Sequence, residues 1–197
     1  MSKIPKIKFR YSQVYDNQRR KNQILQDNLR EKDLTYPSVK KIENLWRRFE
    51  KITLLEIAKI TGLEWEKSKI ICYVVRVQKF PFSDLLTIGI FQNEEAFIDI
   101  LVHELIHNIF RQNINRKKVT RFFIYINKKY FGETVKTLNH IHLHVIHVKI
   151  YKLIFGEDRL EKNIDKDKKF QDYSKMWEIV EKKGSENLVG EMKKWMK

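Results

Sequence analysis

The stretch Phe97 to Phe110, FIDILVHELIHNIF, decides how the rest of the chain is read. Placed at 100° per residue, Ile98, Leu101, Val102, Leu105, Ile106 and Ile109 cover one side of an α-helix. Ala96, Ile100, His103, Glu104 and His107 fall on the other. Such a helix is expected to be buried along its back. His103 and His107, four residues apart, project from one face about a turn apart, close enough to hold a single zinc ion. Glu104 stands beside His103, where a carboxylate can take a proton from a water activated at that metal. Ionisable groups on a largely buried helix need partners, because an unpaired buried polar group costs roughly 2–7 kcal/mol. A bound zinc ion supplies one.

A chain of 197 residues, 42% hydrophobic and 12% aromatic, is long enough for one domain with a real core, with or without a small helical extension. The net charge of +15 makes nucleic acid or another anionic partner a candidate. The chain is also heavy in Lys, Ile and Asn and has only Ala58 and Ala96 as alanines, so compositional bias accounts for part of that charge. Cys72 is the single cysteine and sits in an apolar run, which suits a buried thiol and leaves no internal disulfide. The opening MSKIPKIKFR lacks a secretory apolar core, and no apolar run reaches the ~20 residues of a membrane span. A cytoplasmic protein without a membrane partner is the expectation.

Residues 1 to about 35 are polar and basic, with a helix expected from Gln18 to Lys32 on the stripe Ile24, Leu25 and Leu29. Val39, Ile42, Leu45, Trp46 and Phe49 mark an amphipathic helix. Thr53 to Leu63 then offers a rival to the metal reading. Ala58 and Gly62, spaced by four, match the first helix and turn of a helix-turn-helix nucleic-acid-binding motif. Glu64 and Glu66 would stand at the start of its recognition helix and repel phosphates, and the β-branched run from Ile70 to Val77 favours a strand. A short helix closed by Gly62 is the plainer reading. Lys69 to Phe80 and Leu85 to Phe91, joined by the turn-forming Pro81-Phe82-Ser83-Asp84, read as an antiparallel hairpin leading into the His103 helix.

Lys117 to Phe131 has helical spacing and stops at Gly132. Glu133 to Phe155 reads as a helix carrying Asn139-His140-Ile141-His142-Leu143-His144-Val145-Ile146-His147. On it His140, His144 and His147 share a face, Glu133 lies upstream on that face, and His142 points elsewhere. A catalytic zinc takes three protein ligands and keeps a position for water. His103 and His107 give two, and the third is expected from Glu133, His140, His144 or His147. Candidate donors to a developing oxyanion are His144, His147, Tyr125 and Tyr130.

The His-Glu-x-x-His motif at His103 to His107 is that of zincin metallopeptidases. The order of hairpin, motif helix, connecting helix and Asn-His-rich helix over Lys69 to Phe155 resembles a compact gluzincin, similar to the small archaeal minigluzincins. The resemblance implies a zincin-like α+β fold, mostly helical with a small antiparallel sheet. It also implies Zn2+ dependence and peptide-bond hydrolysis of a peptide or protein substrate. Asn139-His140-x-x-x-His144 stands where such enzymes carry Asn-Glu-x-x-x-Asp, so His140 is the implied third ligand and His144 the group beside it, or the alternative ligand. Leu86 to Ile90 would be the edge strand that pairs with substrate.

The resulting organisation is an N-terminal helical extension over 1–68, a metallopeptidase core over 69–155 and a C-terminal helical tail over 156–197 packed on the core. In the tail, helices are expected at Gln171 to Lys182 and Leu188 to Trp195, and the tail could restrict access to the site. A zinc-binding protein without catalysis, holding the metal with four protein ligands, is the remaining class.

Overall fold

The computed structural model describes residues 4–18, 36–76, 81–89 and 94–196. The helix expected between Gln18 and Lys32 lies almost wholly outside them. The chain is mostly helical with a small mixed sheet, and it divides into two compact units, Met1–Lys51 with Trp65–Asn108 and Ile52–Glu64 with Ile109–Lys197.

The first unit is built on four strands: β1 (Lys6–Arg10), β2 (Lys69–Val75), β3 (Phe82–Ser83) and β4 (Leu86–Gly89), in the order β1-β2-β4-β3. In β1 the lysines at 6 and 8 are exposed and Ile7 between them is fully buried, the alternation of a half-covered strand. All four residues of β4 are buried, as befits a strand flanked on both sides. Helix α1 (Tyr36–Arg47) adds Val39, Ile42 and Trp46 to the core.

Two expectations change here. Lys6–Arg10, within the stretch read as a helical extension, is a strand paired in parallel with β2, with Ile7 opposite Ile70 and Phe9 opposite Cys72. The sheet is also not an antiparallel one. β2 and β4 run parallel, with Tyr73 opposite Thr87 and Val74 opposite Ile88. Phe82 and Ser83 of the expected turn Pro81-Phe82-Ser83-Asp84 are themselves the strand β3, and the reversal at Asp84–Leu85 joins β3 to β4, with Phe82 opposite Thr87 and Ser83 opposite Leu86. The hairpin is real but belongs to that pair. β4 then fills the slot beside β2, so Thr87 of the expected substrate-pairing edge is already paired on both sides, with Tyr73 and with Phe82.

Side chains close the outer side of β1. In a parallel pair, alternate residues turn their backbone groups toward opposite neighbours, and the Lys6 N–H goes to the Ser68 carbonyl at 3.0 Å. Ile7 therefore faces outward. Its N–H donates to Glu50 Oε1 at 2.7 Å, and its carbonyl accepts from Arg47 at 2.8 Å, while Arg47 and Glu50 are themselves ion-paired. Asp16, fully buried, accepts from the backbone N–H of Arg76 at 2.7 Å and from Tyr11 at 3.1 Å.

The second unit is helical. It holds most of α2 (Glu50–Thr61), the last turn of α3 (Glu94–Gln112), α4 (Lys117–Lys129), α5 (Val135–Ile150), a π turn (Tyr151–Phe155), α6 (Glu157–Asp167), α7 (Gln171–Lys183) and α8 (Ser185–Met196). Gly62 closes α2 at φ 66°, a left-handed conformation that a side chain disfavours, and residues 63–67 after it are not helical. No recognition helix follows, which removes the structural basis of the helix-turn-helix reading. Asn113 Nδ2 donates to the carbonyls of Glu64 and Ile109 at 2.8 and 2.9 Å, tying the segment after α2 to the end of α3.

Helix α5 is the spine of this unit, with twelve of its sixteen residues buried. Thr134 caps it by accepting the Thr137 N–H at 3.1 Å. The charged segment after Phe155 forms α6, whose entry is set by Gly156 at φ 91°. From α7, Met176, Trp177 and Val180 are buried beside α5, and from α8 Leu188, Val189 and Met192. The tail thus contributes side chains to the core of this unit. No helix among the described residues is long and apolar enough to cross a membrane.

Candidate metal centre

In the first unit, the exposure pattern of α3 follows the helical wheel. Phe97, Ile98, Leu101, Val102, Leu105 and Ile106 are at most 1% exposed, while Ala96, Ile100, His103 and His107 form the partly exposed stripe. The rings of His103 and His107 stand edge to face with centroids 5.0 Å apart. That separation suits two imidazoles that share an ion. Glu104 departs from the stripe and is buried. Its charge acts on Cys72 of β2, whose thiol is pushed up first by burial and second by Glu104. Asn108, one turn on, donates to the Ser83 carbonyl at 2.6 Å and fixes the helix to β3.

In the second unit, α5 sets out its histidines as the 3.6-residue period requires. His140 and His144 lie 5.7 Å apart between ring centroids, and His144 and His147 lie 5.4 Å apart. His142 faces elsewhere, enclosed edge-on by Phe110, Phe122 and Phe123 at 4.7 to 5.6 Å. Glu133 precedes the Thr134 cap, so it lies outside the helix and does not join the row.

Within the row, hydrogen bonds give His140 and His144 different capacities. The Nδ1–H of His140 donates to the Lys136 carbonyl at 2.6 Å, which leaves the lone pair on Nε2. Tyr173 of α7 donates its hydroxyl toward that lone pair at 3.4 Å. Burial takes His140 down to about 4, so the ring is neutral at neutral pH. A neutral imidazole whose far nitrogen is anchored to a carbonyl is the form in which histidine ligates metals. The donor chemistry of His140 therefore fits zinc. His144 is engaged at both ends. Its Nδ1–H donates to the His140 carbonyl at 3.0 Å, and its Nε2 lies 3.1 Å from Asp167 Oδ2, an oxygen that also accepts from Trp177 Nε1 at 3.2 Å.

Tyr173, Trp177 and Asp167 were not singled out from the sequence. They lie on α6 and α7, twenty or more residues beyond the histidines, and only the fold brings them to the row. Tyr125 and Tyr130 serve elsewhere. Tyr125 donates to Glu191 at 3.3 Å and stacks on Trp195, and Lys129 lies over the rings of both tyrosines at 5.4 Å.

No family model matches this chain, and neither a curated protein nor a solved structure is significantly similar to it.

Proposed function

We propose that the chain is a zinc-dependent hydrolase of peptide bonds, with His103, His107 and His140 as metal ligands and Glu104 as the general base. The observation that carries this reading is the His103 and His107 pair, 5.0 Å apart on the less buried stripe of α3 with Glu104 between them in sequence. α5 offers this proposal two choices of third ligand, His140 and His144. The first leaves the bonds of His144 to Asp167 and the His140 carbonyl intact, and it uses a ring whose lone pair is on Nε2, where the Tyr173 hydroxyl would give way to the metal. Zinc bound by that set would polarise a scissile carbonyl and lower the pKa of a water toward ~7.

The remaining work falls to the chain itself. Glu104 accepts the proton of the attacking water and returns it to the leaving amine. Lys136, through its carbonyl, holds the His140 ring in its ligating tautomer. The Tyr173 hydroxyl, beside His140 Nε2, is the nearest phenol to the row and a donor for negative charge that develops on substrate oxygen.

Histidines in excess of three favour a second reading, a closed four-ligand zinc site without catalysis. Cobalt substitution separates the two. The hydrolase reading expects a Co(II) spectrum that changes on adding azide, together with cleavage of unstructured peptides. A spectrum inert to azide, with no cleavage, would establish the closed site instead.

A further inference from the structure

We propose that one corner of the helical unit docks on an anionic lipid surface. Three large apolar side chains lie on it almost bare: Phe131 is 92% exposed, Val135 72% and Phe170 60%. They come from two turns, one between α4 and α5 and the other between α6 and α7. Those turns adjoin. Thr134 Oγ1 donates to Asp172 Oδ1 at 2.7 Å, and Thr137 Oγ1 donates to the Asp172 carbonyl at 3.2 Å. Lys136 reaches across to lie over the Tyr173 ring at 4.6 Å, and Phe170 stands 6.2 Å from the same ring.

The surroundings name the partner. Lys128, Lys136, Lys168 and Lys169 are exposed in and beside these two turns, Lys136 and Lys168 with ion pairs to Asp172 and Glu181, and the flanking cations in both turns are lysines without an arginine. Lysine is depleted in protein interfaces, whereas bidentate arginine is the residue suited to phosphates in a nucleic acid. A lysine reaches an anionic headgroup as a point charge on a flexible stem while its neighbours insert apolar groups. A chain of net charge +15 is drawn to such a surface as a whole. The expectation of no membrane partner rested on the lack of a spanning segment, and docking of this kind needs none. The inference stands apart from the metal reading.

The test uses the full chain with sedimented vesicles of phosphatidylcholine, with or without phosphatidylglycerol. Binding is expected only where phosphatidylglycerol is present. F131S/F170S should weaken it about tenfold or more, since two buried aromatic contacts are lost. F131W should show a blue-shifted emission on those vesicles. Both positions are exposed, so an unchanged circular dichroism spectrum and elution volume will show that the variants fold. Binding that is unaffected by F131S/F170S would overturn the proposal, as would absence of binding. So would a concentration-dependent dimer abolished by those substitutions, or a blue shift produced by duplex DNA in place of vesicles.

Discussion

The Nδ1 of His140 lies 2.6 Å from the carbonyl oxygen of Lys136, one helical turn earlier, so that the backbone of α5 sets which nitrogen of this ring can bind a metal. The same i to i−4 bond recurs at His144, where Asp167 has taken the other nitrogen. Two chemically identical residues on one face thereby acquire different uses.

If His140 is the third ligand, His140→Ala should abolish tight zinc binding, and His144→Ala should lower affinity only about 10–100-fold, the usual effect of removing a group around the ligands. Metal content after dialysis against a weak chelator measures both. Equal loss from the two variants, or a larger loss from His144→Ala, would move the third ligand along the helix.

Glu104→Gln should keep the metal and lose hydrolysis by about 100-fold or more, the scale of general acid and base catalysis. Zinc content and peptide turnover on the same sample decide it. A variant that cleaves at the parent rate would remove Glu104 from the chemistry.

Cys72 supplies a separate test of where Glu104 points. Its thiol is pushed up by burial and then by that carboxylate, so in the native protein it should not react with a disulfide reagent at pH 8. Titration should yield no thiol before denaturant and a single one after. Rapid labelling of the folded chain would contradict the burial of both groups.

The metal-free protein should lose stability in acid through His140. Its folded value of about 4 lies below the ordinary histidine value near 6.5, so the unfolded chain takes up the proton first. The stabilisation is therefore complete above about pH 6.5 and declines as the pH falls toward 4, by at most about 3 kcal/mol. Urea unfolding of the parent and of His140→Gln at pH 7, 6, 5 and 4 reads this out. A slope retained in full by the variant would assign the effect to other groups.

Removing residues 156–197 should unfold the helical unit, because Trp177 and Met176 are at most 2% exposed and the loss of one such side chain costs about 2–5 kcal/mol. Circular dichroism of the truncated chain should show loss of helix. A folded truncation with raised peptidase activity would instead restore the idea of a removable inhibitory tail.

The parts of the molecule that were legible beforehand are those with a local period. The stripe Ala96, Ile100, His103 and His107 follows from spacing alone, and so does the parting of His142 from the histidine row, because a helix fixes direction every 100°. Strand pairing has no such local rule. Pro81-Phe82-Ser83-Asp84 signalled a reversal, but the two strands it was expected to join run parallel and the reversal at Asp84–Leu85 serves the short β3, while the basic Lys6–Arg10 carries too few apolar residues to announce a strand. Glu104 was placed on the histidine stripe because it adjoins His103, but unlike the stripe it is buried. Asp167 was hidden for another reason. It closes an acidic and basic run that reads as solvated surface, and only the path through Gly156 and α6 brings it to His144.

The grip of Glu50 and Arg47 on Ile7 has a bearing on how this protein behaves in company. A strand at the margin of a sheet offers a template onto which another chain can add, the first step toward fibrils. Here both outward-facing backbone groups of Ile7 are already taken, so an incoming strand would have to displace Glu50 and Arg47 before pairing at that residue. The margin is guarded by charge, with neither a proline nor a bulge in the strand.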